Sequence, residues 1–342
     1  MRLLLVTRGF PPRVGGVETL CRQLAHGFAA RGTDVTVLTF GGRAPRSVER
    51  GPFRVLRVPS RGDAFEWSPD LVRVLRGLRA DVCHVHNLHS TVAAGVWASR
   101  TRPYVLTCHY HGAGHTPAAR LLHPAYRRLG RHIVRGAAAV TAVSASEAAL
   151  VDRHFGIAPE VIPNGVEPVP AAPPTQDKTL VVVSRLVGYK RVDAVLRALA
   201  ELPGYTLRVI GDGPQWNDLR RLADRLAVAD RIRWEQGLSD AAVREAVGAA
   251  AVHVNLSSAE AFSYTVLEAL AAGTPVVTSG DTALSAWARR FPDAVRTADP
   301  SRPAEVAAAI QGVSGERVQV DLGEYALTAV LDRYQRVYER LA

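Results

Sequence analysis

The sequence predicts an α/β protein built from two doubly wound domains. Three observations carry this. Short β-rich apolar runs alternate with helical stretches, the signature of βαβ units around a parallel sheet. A proline-rich segment at 167–178 interrupts the alternation once, and the alternation then restarts. Finally, 342 residues exceed what one core commonly serves, since single cores stop growing near ~250–300 residues.

Taken in order, the first half offers strands at 2–6, 34–39, 53–58, 82–86, 104–108 and 138–143. Between the first two lies a helix in which Leu20, Leu24, Ala25 and Phe28 recur at helical spacing before Gly32 ends it. The segment 167–178 holds Pro168, Pro170, Pro173 and Pro174, so it continues neither a helix nor an inner strand and reads as a linker. Strands resume at 179–184, 205–213, 231–237, 251–257 and 274–279, and a long amphipathic helix from Tyr325 to Leu341 closes the chain. The expected organisation is a first domain at 1–166, the linker, a second domain at 179–324, and a final helix at 325–342 free to pack back on either domain, the first being the expected one, with a cleft between the domains.

Composition narrows the function classes. Hydrophobic residues make up 47% and charged residues 22%, an ordinary globular balance, and no apolar run approaches the ~20 residues of a membrane span. The apolar start, Leu3 to Val6, is too short for a signal peptide and reads as a buried strand, so a cytoplasmic location is expected. Cys21, Cys83 and Cys108 share no CxxC spacing and read as free thiols. The net charge of +10 favours anionic partners and permits peripheral membrane contact, although no compact basic cluster with apolar wedges demands it. Arginines are scattered and no nucleic-acid signature appears, so nucleic acid is not an expected partner.

Ligands of open α/β sheets gather at the carboxyl ends of strands, over helix N-termini. After the first strand, Gly15 and Gly16 precede a helix, where backbone can approach a ligand closely and exposed amides suit phosphate; an ordinary turn is the plainer reading. The segment is neither GxGxxG nor GxxxxGK[ST], which removes support for dehydrogenase and ATPase readings. Cys108, His109, His111 and His115 follow one strand, and His84, His86 and His89 end the preceding one. Such residues suit zinc, but neighbouring strand positions face opposite ways and no HExxH accompanies them, so no metal site is assigned. One histidine bonding a substrate is the better reading, with His84 a core residue. In the second half, Arg185 and Lys190 follow the first strand, a planar fork and a mobile point charge that suit a diphosphate. Gly211-Asp212-Gly213 ends another strand in a tight turn.

Glu260 and Glu268 stand eight residues apart in EAFSYTVLE. On one helix their backbones would be ~12 Å apart, whereas hydrolytic carboxylate pairs need roughly 5–9.5 Å between carboxyl groups. The expected geometry puts Glu260 in a loop, Ser263 as N-cap, and a helix from Tyr264 to Ala272 ended by Gly273. Amides near 262–265 would suit a phosphate, and the two glutamates would accept hydroxyl hydrogen bonds at separate places on one elongated ligand.

In register, GFPPRVGGVE, HVHNLH, LTCHYHG, VIPNGV, VSRLVGYKRVD, IGDGP and EAFSYTVLEALAAGTPVV resemble the retaining, nucleotide-sugar-dependent glycosyltransferases of family 4. That resemblance covers nearly the whole chain and implies the GT-B fold, two Rossmann-like domains facing across a cleft, the first binding the acceptor and the second the nucleotide sugar. It implies that Gly16, with Gly15 beside it, brings an amide to the donor phosphate, and that His109 contacts the donor sugar near the anomeric carbon. Arg185 and Lys190 would hold the diphosphate, Glu260 the sugar hydroxyls and Glu268 the ribose. Gly213, Leu238, Phe262 and Ser263 would shape the donor pocket. The implied reaction moves a hexose-type sugar from a UDP- or GDP-linked donor to a hydroxyl of a small-molecule or lipid-linked acceptor, with retention and without metal or other cofactor. Two departures border the donor pocket. Ser263 stands where the family commonly has Gly, and Gly280-Asp-Thr-Ala-Leu284 replaces a Gly-Gly turn and glutamate. A nucleotide-sugar epimerase and a binding protein with a degenerate site are the alternatives, which a panel of donor sugars separates.

Overall fold

The computed structural model describes the chain apart from residues 63–64, 101–102, 113–116, 168–177 and 281–282. His115, nearly all of the expected linker, and Asp281 and Thr282 of the second departure therefore lie outside the described residues. The chain divides into two compact units, one of Met1–Gly165 with Gly323–Ala342, the other of Val166–Leu322.

The first unit opens with β1 (Arg2–Val6), α1 (Gly16–Ala30), β2 (Asp34–Phe40), β3 (Ser47–Arg50), β4 (Arg54–Val58), α2 (Leu71–Gly77) and β5 (Val82–His86). It continues with α3 (Thr91–Ser99), β6 (Tyr104–Thr107), α4 (Pro117–Gly136), β7 (Ala139–Ala142), α5 (Ala145–Phe155) and β8 (Glu160–Val161). The sheet order is β3-β4-β2-β1-β5-β6-β7-β8, parallel except for the β3–β4 pair. β1 reads as a continuous apolar run because it is covered on both faces: Leu3 to Val6 are all buried, in register with Val35–Leu38 on one side and Val82–Val85 on the other. β3 is exposed along its whole length, and SVER carries no apolar alternation to announce it.

The second unit comprises β9 (Thr179–Val183), α6 (Val192–Ala200), β10 (Thr206–Ile210), α7 (Trp216–Arg225), β11 (Ile232–Glu235), α8 (Asp240–Ala249) and β12 (Val252–Asn255). After these come α9 (Tyr264–Ala271), β13 (Val276–Ser279), α10 (Leu284–Arg290), β14 (Val295–Ala298) and α11 (Pro303–Gln311). Its sheet is parallel throughout, in the order β11-β10-β9-β12-β13-β14. Counted within the unit this is the 3-2-1-4-5-6 order of dinucleotide-binding folds, whose strand order reverses between β9 and β12. Loops leaving those two strands at their carboxyl ends flank the crevice where such sheets hold ligands.

The last helix, α12 (Leu327–Glu339), packs in the first unit. Leu331 lies against Gly27 of α1, so closely that a Cβ there would come within 2.4 Å of it. Tyr338 meets Phe28 at 5.1 Å between ring centroids and bonds His84 Nδ1 at 2.6 Å. Tyr334 Oη lies 3.3 Å from Thr107 Oγ1. The helix thus caps a polar seam under β5 and β6 that apolar packing alone would leave unpaired.

Candidate active site

In the second unit the loop after β9 carries Arg185 and Lys190, and the two glycines of 211–213 fix its course. A Cβ on Gly211 would fall 1.9 Å from Ser184 O, and one on Gly213 would fall 2.5 Å from Leu186 O. That close approach lets Leu186 N bond Asp212 O at 2.8 Å and Gln215 N bond Leu186 O at 3.0 Å. Gly213 thus packs by its backbone against Leu186, in the loop that carries Arg185. Arg185 is exposed, and its Nη2 donates to Tyr189 Oη at 2.9 Å.

The loop after β12 docks on this one, with Ser258 N donating to Tyr189 O at 2.8 Å. It brings Glu260 onto Lys190, whose ammonium donates directly to Oε1. The two side chains are only 12% and 17% exposed, so this is a mostly buried ion pair at the point where the strand order reverses. Lys190 Nζ also lies 5.4 Å from the Tyr189 ring. Residues separated by seventy positions in sequence thus form one charged centre, with the Arg185 guanidinium presented to solvent on the same loop.

Ser263 occupies the N-cap position of α9, as expected, but its side chain makes no capping bond. Its backbone sits at φ 73°, a region that favours glycine, and Oγ accepts instead from Asn255 Nδ2 at 2.9 Å. The helix ends at Ala271, one residue before the expected Ala272, with Gly273 at φ 75° just beyond it. Phe262 is buried edge-on to Trp287, at 5.1 Å between centroids, and its carbonyl accepts from Trp287 Nε1 at 2.6 Å. Its ring and carbonyl are thereby both held by Trp287. Glu268 is half-buried on α9, and Leu238 is half-buried between β11 and α8.

In the first unit Gly15 is the extended N-cap of α1 and Gly16 its first residue. The Glu18 carboxylate folds back over this turn, so that a Cβ on Gly15 or on Gly9 would meet it at 2.3 Å. An acidic group therefore already lies beside the amides expected to meet phosphate. His109 follows β6 at φ 48°, almost wholly buried, with Nε2 3.3 Å from Nδ1 of His86 and the two rings stacked. Burial pushes His109 down to about 4 and His84 down to about 3, and holds His86 well below the ordinary imidazole range. All three are neutral at pH 7. The sequence keeps the two histidine groups apart, whereas the structure joins His84, His86 and His109 in one column, with the His84 and His86 rings 4.0 Å apart. Residues two apart on a strand share a face, which is the signal the motif reading passed over. Among the described residues no group of three His, Cys, Asp or Glu side chains is arranged to hold a metal ion.

Two further residues escape motif reading. Glu147, at the start of α5, is buried and accepts from Tyr110 N at 2.5 Å and Val143 N at 2.7 Å, which pins the backbone just after His109. Burial raises its carboxyl to about 7 in spite of those two bonds. Glu66 is buried under Arg13, Arg8 and Ser60, at 2.6, 3.2 and 2.6 Å, and these bonds outweigh desolvation and hold it below the usual carboxylate range. Neither residue has a motif around it. Only the folded arrangement gives each its partners.

Comparison with known proteins follows the same division of the chain. The family model described as Glycosyltransferase Family 4 matches residues 14–169, and that described as Glycosyl transferases group 1 matches residues 167–317. The GDP-mannose:cellobiosyl-diphosphopolyprenol alpha-mannosyltransferase of Komagataeibacter xylinus is 29% identical over 303 residues, covering 82% of this chain and 76% of its own. Sucrose-phosphate synthase from Thermosynechococcus elongatus superposes with a TM-score of 0.84 at 20% identity, over 99% of this chain and 98% of its own. Anabaena HepE, solved with UDP and glucose, superposes with a TM-score of 0.80 at 18% identity over all of both chains. No described helix is long and apolar enough to cross a membrane. With the two family models spanning residues 14–317 between them and both sheets in GT-B form, the chain belongs to the family 4 glycosyltransferases and is a glycosyltransferase enzyme.

Proposed function

We propose that the enzyme transfers a hexose from a UDP- or GDP-linked donor to an acceptor hydroxyl with retention of anomeric configuration. The observation that carries this reading is the buried Lys190–Glu260 pair at the strand-order reversal of the second sheet, with Arg185 exposed on the same loop. A diphosphate brings negative charge that Arg185 and Lys190 neutralise. Glu260, still held by Lys190, has acceptor capacity left for sugar hydroxyls. Glu268 takes the ribose, and His109 the sugar near its anomeric carbon. The printed names of two similar proteins, one using GDP-mannose and one solved with UDP and glucose, support the donor class.

In this reading the bond between the anomeric carbon and the diphosphate oxygen breaks as the acceptor oxygen attacks that carbon from the same face. The acceptor proton passes to the departing phosphate oxygen, giving a glycoside and a nucleoside diphosphate. The chain's part is electrostatic: positive groups set in place before charge develops on the leaving group lower the barrier without reorganising.

The acceptor we place among anionic or lipid-linked molecules. No Asp or Glu occurs between Asp81 and Glu147, a stretch that holds seven arginines. On α4, Arg127, Arg128, Arg131 and Arg135 line one shallow crevice, with Leu129 exposed beside them. A lipid-linked diphosphate in the name of the similar mannosyltransferase supports this choice. The experiment is a panel of UDP-, GDP- and dTDP-sugars scored for nucleotide release, followed by an acceptor screen with NMR of the product's anomeric centre. Isomerised donor without transfer would favour the epimerase, tight binding without turnover the binding protein, and an inverted product would overturn retention.

A further inference from the structure

The ring of His109 has a partner to which no role has been given. His86 is wholly buried at the end of β5, with Nδ1 3.3 Å from Nε2 of His109. Beneath it His84 has both ring nitrogens engaged, by Tyr338 Oη at 2.6 Å and Thr107 Oγ1 at 2.7 Å. His84 is therefore committed to its own partners, and its ring, 4.0 Å away, holds the His86 ring in place. Nε2 of His86 is buried and has no hydrogen-bond partner among the described residues.

We infer that His86 is a positioning residue that fixes the tautomer of His109, so that His109 presents an N–H donor at Nδ1 to the ligand. The inference rests on the reading of His109 as an active-site residue. Each neutral imidazole carries one N–H, and one of the two facing nitrogens must donate. Were His109 the donor, His86 would carry its own proton on Nε2 and bury an N–H with nothing to receive it. With His86 as donor, only an unused lone pair is buried at Nε2. Orphaned buried N–H groups are the rarer and costlier defect, so His86 donates and His109 holds its proton on Nδ1. Glu147 clamps the amide that follows His109, at the left-handed backbone from which the ring projects. His109 is thereby a hydrogen-bond donor to a sugar or phosphate oxygen, and not the base that would take the acceptor proton.

The test uses the full chain labelled with 15N-histidine. Ring nitrogen shifts of the resting enzyme, assigned by His109→Gln, read the tautomer without any substrate. The expected result is a protonated Nδ1 and a bare Nε2 at His109. In parallel, nucleotide release from UDP-glucose and GDP-mannose is compared in two variants. His86→Asn keeps an N–H near the place of Nδ1 and retains kcat within about threefold, whereas His86→Phe keeps a flat ring against His84 but no donor. His86→Phe lowers kcat by about tenfold or more, the loss of one hydrogen bond at the reacting centre, with the donor KM little changed. A proton on Nε2 of His109 in the parent, or equal kcat in the Phe and Asn variants, overturns the inference. Should His86→Phe fail to fold, the parent spectrum decides. Absence of turnover with every donor would sink the transferase reading instead, and leaves the tautomer measurable.

Discussion

Replacing Lys190 by Ala separates binding from stability. In the free enzyme the substitution strands Glu260, which is 12% exposed, without its cation. At an effective dielectric of about 20 and a contact near ~3 Å, the pair's gross attraction is about 5 kcal/mol, most of it offset by desolvation. Removing one member keeps the burial cost and loses the attraction, so Lys190→Ala should destabilise the fold by about 3 kcal/mol, the low end for buried pairs because both groups retain some solvent. The double variant Lys190→Met with Glu260→Gln should recover most of that loss, to within about 1 kcal/mol of the parent. Binding follows a different pattern. Loss of a charged hydrogen bond to a diphosphate is worth about 1.5–3 kcal/mol, or about 10–150-fold in Kd for UDP or GDP. Arg185→Ala should show the same order of binding loss with stability unchanged to within about 0.5 kcal/mol, because Arg185 is exposed and bonds a neutral hydroxyl. Urea denaturation and titration calorimetry well below the melting temperature measure the two quantities separately. Lys190→Ala with unchanged stability and unchanged nucleotide affinity would refute both the buried pair and its role.

At Ser263, relief of positive-φ strain and loss of the Asn255 bond oppose each other at about 1 kcal/mol each. Melting temperatures should therefore rank Gly near Ser, Ala below both and Val lowest, and a Val variant as stable as Gly would contradict the backbone reading. Gly211→Ala should push Ser184 and the Arg185 loop aside, costing about 2–3 kcal/mol and weakening nucleotide binding together, as chemical denaturation and calorimetry will report. Co-sedimentation with vesicles containing an anionic lipid should fall on Arg131→Glu with Arg135→Glu and weaken with salt; equal pelleting of variant and parent would remove α4 from the acceptor reading. For pH, His84 and His109 have folded values of about 3 and 4 against an ordinary 6.5, so the unfolded chain takes up protons first and stability is lost as pH falls below 6.5. Glu147 acts oppositely: raised to about 7 from 4.5, it contributes below 4.5 and loses that contribution as pH rises through 7. His253, also buried and pushed down to about 4, acts as His84 and His109 do. These three histidines outweigh one carboxyl, so the melting temperature should drop between pH 6.5 and 4.5, and a flat profile there would count against neutral buried histidines.

Legibility followed burial. Strands covered on both faces, such as β1 and β9, announce themselves as apolar runs whatever the rest of the chain does. β3 at the sheet edge and β14, with the sequence VRTA, face solvent at half or more of their positions and carry no such run. In the site, residue type and position at the carboxyl ends of parallel strands drew attention to Arg185, Lys190 and Glu260, and the resemblance to family 4 gave them their expected roles. What the sequence could not supply was the pairing. Nothing in a separation of seventy residues says that Lys190 reaches Glu260, and a serine before a helix reads as a cap until the backbone is seen at φ 73°. Phe262 is a similar case: it borders the glutamate in sequence, but Trp287, twenty-five residues later, decides which way its ring faces.

The histidines show where one-dimensional reasoning fails for a specific reason. His84 and His86 point to the same face of β5, and β6 lies in register beside it, with His86 opposite Thr107 and His109 two residues farther along the chain. Had β6 simply continued, that two-residue offset would have carried His109 beyond the reach of His86. The turn to positive φ at His109, fixed by Glu147 from a helix that begins thirty-six residues later, swings the imidazole back over the strand end. A backbone conformation that most side chains avoid is therefore what converts two separate histidine motifs into one contact. For that reason Glu147, which touches neither the sugar nor the nucleotide in the proposed mechanism, belongs with His86 among the residues on which the geometry of His109 depends.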